Sequence, residues 1–388
     1  TARSYFDQNQ ATENEIRSRI TQLWENVEWD WYRKNNDSNV LYWHWSPDYQ
    51  WEKNLPIRGW NETMIVYILG ISSPTRGVPG SMYEEGWAGG NYTNGNTYYG
   101  HNILVGSGKG GPLFFTHYSF QGFDPRDIED AYANYFEHNR NQTLVNRAYC
   151  IDNPLNHAGY GPNTWGLTAS DEPGGYGVHA PNATEDNGTI TPTAALSSMP
   201  YTPQKSLDAL KHFYRTYGKR LWGKYGFKDA FNLDKDWFAD SYLAIDQGPI
   251  INMIENHRSE LLWNHFMANA EIIEGLKEAG FTGDKLTSID QNKNLGEELA
   301  DNFRLMGNYP NPFNGQTRIM YQLGKPSQVS ITVYTVTGRY LTTIMEQELQ
   351  SAGKHSITFS SSNLNSGVYY YQISTRNRSK VGKLLLIK

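Results

Sequence analysis

One short stretch of the chain combines a carboxylate with other polar groups and a tryptophan. Arg58, Trp60, Asn61 and Glu62 fall within five residues, directly before the apolar run 64–72. The helical spacing of that run predicts a buried helix with Glu62 in its first turn. A helix dipole alone would also favour an acid there, so residue type leaves two explanations open. The polar and aromatic neighbours favour the wall of a polar pocket.

A buried carboxyl in such a pocket could act as a general acid. Burial raises the pKa of a carboxyl, so Glu62 is suited to hold a proton near neutral pH. Glycoside hydrolysis needs such an acid and a second carboxylate that activates water or attacks directly. The candidates for this second group are Asp246, Asp171 and Glu255, with Asp246 preferred. Their structural alternatives are a helix N-cap for Asp246, a turn cap for Asp171 and an ion pair with Arg258 for Glu255.

Aromatic residues are abundant, with 12 Trp and 27 Tyr among 388 residues. Aromatic faces with few charges suit neutral sugars, although the same side chains also fill cores. Each predicted contact could instead be a core plug or an internally paired polar group. The predicted substrate-binding residues are Trp43, Trp45, Arg58, Trp60, Asn61, His117, Trp165, Asp171, Tyr176, Gln247 and Glu255.

Composition excludes several other classes of protein. The net charge is −6 and no basic run occurs, which argues against nucleic acid or an anionic membrane as partner. No apolar run is long enough to span a bilayer, so no transmembrane segment is predicted. The single cysteine, Cys150, cannot form an internal disulfide, and no metal-ligand spacing is found, so neither a metal nor another cofactor is expected. Because the chain begins at Thr1 without a signal peptide, we interpret it as a processed product or a fragment.

Apolar periodicity predicts two domains of different class. Helices are expected at about 12–34, 62–72, 126–148, 203–221, 246–266 and 269–280, separated by the long loops 74–112 and 150–200. This pattern indicates an incomplete (α/α)6 toroid over residues 1–281. Residues 282–302 are polar without periodicity and are predicted to be a linker. Period-two segments over 303–388 predict about seven short strands in a small Ig-like β-sandwich, so the fold class is mainly α plus a small all-β domain.

The predicted helical domain carries several long motifs in order. They include Gly59-Trp-Asn-Glu62, Gly122-Phe-Asp-Pro-Arg126, Trp165-Gly-Leu-Thr-Ala-Ser-Asp171 and Asp246-Gln-Gly-Pro-Ile250. With these motifs the region resembles glycoside hydrolase family 144, whose members act on β-1,2-glucans with an (α/α)6 fold. The resemblance implies an inverting hydrolase with its acid at Glu62. The first third of the family's toroid and its N-terminal acidic residues have no counterpart in this sequence.

The C-terminal region has motifs of its own. Tyr309-Pro-Asn-Pro-Phe-Asn314, Ser366-Gly-Val-Tyr-Tyr-Tyr371 and the terminal Lys383-Leu-Leu-Leu-Ile-Lys388 resemble the sorting domain of the type IX secretion system. That resemblance implies the type IX secretion machinery as a partner. It also implies a secreted or cell-surface protein on the exterior of a bacterial outer membrane.

Three functions remain open on these residues. The first is an endo-β-1,2-glucanase, or an exo-acting relative that releases sophorose. The second is a catalytically dead glucan-binding protein, which the missing N-terminal acids would explain. The third is a toroidal polysaccharide lyase, which the shortage of Arg and Lys in the predicted cleft disfavours.

Overall fold

The computed structural model describes residues 1–35, 37–286, 303–324, 326–361, 364–375 and 379–388. The chain divides into two compact units, Thr1–Thr287 and Ser288–Lys388. Most of the predicted linker, residues 287–302, lies outside the described residues. Its first residues, 282–286, belong to the first unit, because Thr282 and Glu129 exchange backbone hydrogen bonds of 2.9 and 2.7 Å and Leu286 is buried.

The first unit is mainly helical, as its apolar periodicity predicts. Short 3₁₀ segments span Trp29–Arg33, Leu113–Thr116 and Ser119–Gln121, and π-helical turns span Tyr83–Trp87 and Phe213–Tyr217. The α-helices in the described part of this unit are α1 Ala2–Tyr5, α2 Ala11–Glu25, α3 Met64–Ile71, α4 Tyr135–Asp152, α5 Pro192–Leu196, α6 Pro203–His212, α7 Gly218–Leu221, α8 Ala244–Ser259, α9 Leu261–Met267 and α10 Ala270–Glu278.

Short strands join these helices where the sequence predicts long loops. The pairs are β1–β2, β3–β4, β5–β6 and β8–β9, and β10 lies between β7 and β11. Their bounds are β1 Leu41–Tyr42, β2 Pro56–Ile57, β3 Thr93–Tyr98, β4 His101–Val105, β5 Ser170–Glu172, β6 Gly175–Gly177, β7 Thr189–Ile190, β8 Trp222–Gly223, β9 Gly226–Phe227, β10 Phe231–Asn232 and β11 Trp237–Phe238.

Two predicted helix boundaries are wrong. α2 ends at Glu25 rather than near 34, and residues 29–33 form a separate 3₁₀ segment in which Asp30 accepts from the Arg76 guanidinium at 2.9 Å. α4 begins at Tyr135 rather than near 126. The Asp130 carboxylate accepts the backbone N–H groups of residues 132 and 133 at 2.8 Å, which fixes a turn, and Asn134 then caps the helix.

The main core of the first unit lies between α4, α5 and the helical segment 203–221. Ala, Leu and Phe side chains from these elements pack around the fully buried Trp165. α3 is also buried, with Met64, Tyr67, Ile68 and Ile71 enclosed, as its apolar circumference predicts. No helix in the described ranges is long and apolar enough to cross a membrane.

The second unit consists of two packed antiparallel sheets. One sheet has the order β12-β13-β16 and the other β15-β14-β17-β18. Alternating inward residues of both sheets, such as Ile319, Val333 and Ile373, share one core, so the predicted seven-stranded sandwich is confirmed. The strands are β12 Arg304–Tyr309, β13 Gln316–Leu323, β14 Ser327–Thr335, β15 Tyr340–Gln350, β16 Gly353–Ser360, β17 Gly367–Ser374 and β18 Ser379–Leu386.

Candidate active site

Glu62 lies in a tight turn immediately before α3. The side chain of Asn61 accepts the Thr63 backbone N–H at 2.9 Å, which holds the turn out of helical geometry. The Ser119 hydroxyl donates to the Glu62 carbonyl at 2.7 Å and accepts from the Ile65 N–H at 3.0 Å. The helix therefore begins at Met64, and the prediction that Glu62 occupies its first turn is wrong. Burial raises the pKa of the half-buried Glu62 carboxyl.

Trp60 supports this turn from inside the core. Its indole Nε1 donates to Gln142 at 2.9 Å, and its ring stacks on Tyr135 with centroids 5.7 Å apart. Gly106 passes so close, at a φ of +84°, that a Cβ there would lie 2.7 Å from the indole. Trp60 is 7% exposed, which corrects its predicted role as a sugar contact.

Asp246 occupies the first turn of α8 and is 1% exposed. Its backbone carbonyl accepts from the Thr193 hydroxyl at 2.7 Å, while the carboxyl oxygens have no hydrogen-bond partner among the described residues apart from the neighbouring Asp229 carboxyl. The helix is capped by Leu243 and contains Pro249 in its interior, so Asp246 is not the N-cap. Burial and the neighbouring Asp229 carboxyl raise the pKa of Asp246 to about 8.

Asp229 is a site residue that the sequence did not suggest. It lies between β9 and β10, is 1% exposed, and accepts the Asp171 N–H at 2.8 Å. Burial raises its pKa as well, although its hydrogen bonds with Asp171 and Asp246 oppose the shift. No helical or strand pattern marks Asp229 in Gly226-Phe-Lys-Asp229. The only feature that could have marked Asp229 as a candidate site residue is its position in a short loop between two-residue strands.

Two tyrosines connect Glu62 with the aspartates. Tyr118 has its pKa raised by burial and then by the charge of Asp246, with smaller contributions from Tyr176, Glu62 and Asp229. Burial, Asp246 and Asp229 raise the pKa of Tyr176 to about 12. The charges of Glu62 and Asp246 thus act on the same tyrosine hydroxyl, so we treat the two carboxyls as one candidate site.

The β5–β6 hairpin carries two further predicted residues into this site. Asp171 and Tyr176 are cross-strand partners, and the Ser241 hydroxyl donates to the Asp171 carboxylate. Tyr176 is 52% exposed, so its ring is available to a ligand. Asp171 is therefore a strand residue rather than the turn cap that was its structural alternative, and its N–H joins the hairpin to the Asp229 loop.

Two predicted sugar contacts lie inside the core instead. His117 is 1% exposed, its Nε2 lies 3.0 Å from the Ser198 hydroxyl, and burial lowers its pKa to about 3. Trp165 is fully buried among the apolar residues of α5 and α6. Neither offers surface to a ligand, so both predictions are wrong. Residue type alone could not separate a core plug from a binding residue.

The remaining predicted contacts fall into two groups. Gln247 donates its amide to the Phe227 carbonyl at 3.0 Å, and Glu255 accepts from Arg258 at 2.8 Å, so both hold the fold, as does Asn61. The other group is open to solvent: Arg58 and Trp43 are exposed, and Trp45 is half-buried with its ring 6.1 Å from that of Trp31. Across the described residues, no group of three or more His, Cys, Asp or Glu is arranged to hold a metal ion.

Comparison with known proteins agrees with this division into two units. Residues 54–270 match the family model described as "Putative glucoamylase", and residues 308–388 match that of the secretion system C-terminal sorting domain. An exo-β-1,2-glucooligosaccharide sophorohydrolase of Parabacteroides distasonis is 48% identical over 296 residues. That match covers 72% of this chain but 41% of the relative, so the chain spans about two fifths of the relative's length.

Solved structures give the same relationship. An endo-β-1,2-glucanase from Chitinophaga pinensis, in complex with sophorotriose and glucose, is 49% identical with a TM-score of 0.71 over 73% of this chain and 69% of that one. A β-1,2-glucanase from Parabacteroides distasonis is 47% identical with a TM-score of 0.71, covering 72% of this chain and 43% of that one. The fold class is that of the helical β-1,2-glucanases. The chain belongs to their family, glycoside hydrolase family 144, and ends in a secretion sorting domain.

Proposed function

We propose that the chain acts as a secreted glycoside hydrolase on β-1,2-glucan, with Glu62 as general acid and Asp246 as base. The observation that carries this proposal is the pair of carboxyls with raised pKa values, Glu62 and Asp246, whose charges both act on Tyr118. Inverting hydrolysis needs one protonated and one ionised carboxyl at the same pH. Burial of Glu62 extends the pH range in which it holds its proton.

The ionised group is supplied by the two aspartates together. Because Asp246 and Asp229 retain one proton up to about pH 8, the pair carries one negative charge at neutral pH. Glu62 donates its proton to the glycosidic oxygen as the bond from that oxygen to the anomeric carbon breaks. Water attacks the same carbon from the opposite face and gives its proton to the pair. Exchange with solvent then restores both protonation states.

The finer description of the substrate rests on the relatives. One related enzyme is described as endo-acting and another as exo-acting. The products that this chain releases from β-1,2-glucan would distinguish between these two modes. Release of sophorose alone would indicate exo action, and a mixture of longer oligosaccharides would indicate endo action. The sorting domain supports export to the cell surface or beyond through the type IX machinery, and the (α/α)6 toroid is the fold in which we expect the cleft to lie.

The test is release of reducing ends from linear β-1,2-glucan. Glu62→Gln is expected to lower the rate by about 10²-fold or more, since it removes the general acid. Glu255→Gln is the matched control, because that carboxylate is already bound by Arg258 and Ser259 near the end of α8. Similar turnover in both variants would remove Glu62 from the mechanism.

A binding protein without catalysis is the second candidate. It is favoured by the exposed rings of Trp43 and Tyr176, which can bind a sugar whether or not the carboxyls act on it. Calorimetric titration with sophorose oligosaccharides would then show binding while no reducing ends appear.

A further inference from the structure

Asp229 is held in place by backbone contacts on three sides. Its N–H donates to the Ser241 carbonyl at 3.1 Å, and its Oδ2 accepts from the Asp171 N–H at 2.8 Å. The residues before and after it are fixed as well, because the Lys228 N–H donates to the Leu221 carbonyl at 2.7 Å and Ala239 pairs with residue 230 at 2.9 Å. The Asp229 carboxyl therefore has one available orientation.

The helix that carries Asp246 is tied to the same loop. Gln247 donates to the Phe227 carbonyl at 3.0 Å, and the Thr193 hydroxyl donates to the Asp246 carbonyl at 2.7 Å. The Gln247 bond holds the start of α8 against this loop, and the Asp229 and Asp246 carboxyls, each 1% exposed, act on one another's pKa through a hydrogen bond between them. Oδ1 of Asp229 and both carboxyl oxygens of Asp246 otherwise lack partners in the described part of the chain.

Among the described residues, no cation neutralises this pair. Lys228, the nearest cation in sequence, turns outward to Asp240 at 2.6 Å. The titratable groups that face the pair are Asp171 and Tyr176 of the β5–β6 hairpin and Tyr118, with Glu62 acting on that tyrosine in turn. All of these are acidic or neutral. Two ionised carboxylates buried side by side are strongly unfavourable, whereas one proton between them supplies a hydrogen bond and halves the charge.

We propose that Asp229 is the positioning residue of this site: it shares one proton with Asp246 and so fixes both the orientation and the charge of that carboxyl. The proposal rests on the proposed function for its role in hydrolysis, but the shared proton itself is a property of the protein alone. It predicts that the two carboxyls titrate as a unit and that removing either one abolishes the shared titration.

The sign of the pH effect follows from the raised pKa of Asp246. A carboxyl with a folded pKa near 8 and an ordinary value of 3.8 stabilises the fold most below the ordinary value. That contribution is lost as pH rises through the folded pKa. The unfolding temperature of the first unit should therefore fall by about 5 °C or more between pH 6 and 9. All 12 tryptophans lie before residue 264, so tryptophan fluorescence follows this unit specifically.

The experiment compares Asp229→Asn with the unaltered chain. The amide keeps the acceptor for the Asp171 N–H and can donate to Asp246, but it cannot carry the shared charge. Between pH 6 and 9 we expect the unfolding temperature of Asp229→Asn to fall by less than half as much as that of the unaltered chain. Asp240→Asn, on the exposed partner of Lys228, should follow the unaltered curve. If unfolding temperature plotted against pH gave parallel curves for Asp229→Asn and the unaltered chain, offset by a constant, Asp229 would have a structural role only. That result would overturn the proposal.

Kinetics on β-1,2-glucooligosaccharides supply the second measurement. Asp229→Asn should lower kcat by about tenfold or more with KM changed less than threefold. If the unaltered chain does not hydrolyse the glucan, the proposed function fails while the unfolding curves still decide the role of Asp229. Should Asp229→Asn not fold, Asp246→Asn answers the same question, since loss of either partner must flatten the curve. A steep curve in that variant would overturn the proposal.

Discussion

Gly106 packs against Trp60 and so fixes the position of the turn that carries Glu62. Replacing Gly106 with alanine tests how strongly that turn depends on this contact. At its φ of +84°, an L-residue costs about 1–2 kcal/mol. The added Cβ would lie 2.7 Å from the Trp60 Cδ1 and 3.0 Å from its Cβ, and relieving such an overlap costs roughly 1–3 kcal/mol. Gly106 cannot retreat freely, because its N–H donates to the Tyr92 carbonyl at 2.8 Å. We expect Gly106→Ala to lower the free energy of unfolding by about 2–5 kcal/mol in total.

The same hairpin provides a matched control. Gly100 has a φ of +80°, but an added Cβ there would have nothing within 4 Å, so Gly100→Ala carries the backbone cost without the overlap. Urea denaturation followed by tryptophan fluorescence measures both variants. The difference between them should be about 1–3 kcal/mol, and hydrolysis by Gly106→Ala should fall about tenfold, since Trp60 precedes Glu62 by two residues. Equal destabilisation by the two substitutions would refute the argument that Gly106 holds Trp60.

Three further outcomes follow from the site. Ser119→Ala removes both the donor to the Glu62 carbonyl and the acceptor for Ile65, so it should cost about 1–2 kcal/mol in urea denaturation; an unchanged midpoint would contradict that capping role. Tyr176→Ala should raise KM for β-1,2-glucooligosaccharides about threefold or more without changing thermal unfolding, because the ring is half-exposed; an unchanged KM would exclude the ring from sugar binding. Asp246→Asn should abolish hydrolysis yet raise the unfolding temperature at pH 9 above that of the unaltered chain, because it removes a buried charge that the fold tolerates poorly; a lower unfolding temperature than the unaltered chain at that pH would contradict this.

Much of the architecture is readable from apolar spacing. The stripe through Met64, Tyr67 and Ile71 identified a buried helix, and period-two segments identified β13, β14, β16, β17 and β18 of the second unit but marked neither β12 nor β15. Helix ends were less predictable because they depend on individual side-chain hydrogen bonds, some of them with partners distant in sequence. After α2, Asp30 lies in a separate 3₁₀ segment and pairs with Arg76, and no local signal announces that partner.

The site was predicted only in part for a similar reason. The sequence named Glu62, Asp171, Tyr176 and Asp246, whose charges act on Tyr118 or on one another. Asp229 was missed because its importance comes from the carboxyl it faces rather than from its neighbours along the chain. His117 and Trp165 were wrongly included, since a buried histidine bonded to a serine has the same residue type as one that binds a sugar.

Pro249 has a mechanical consequence for α8. A proline at this position has no N–H to give to the carbonyl of Ile245, and that residue is 56% exposed, so water can take the vacant acceptor. The first turn of α8 therefore lacks one backbone hydrogen bond to the rest of the helix, and the side chains of Thr193 and Gln247 hold it in place. Substitution of Thr193 or Gln247 should therefore change the orientation of Asp246 while the later turns of α8 stay intact.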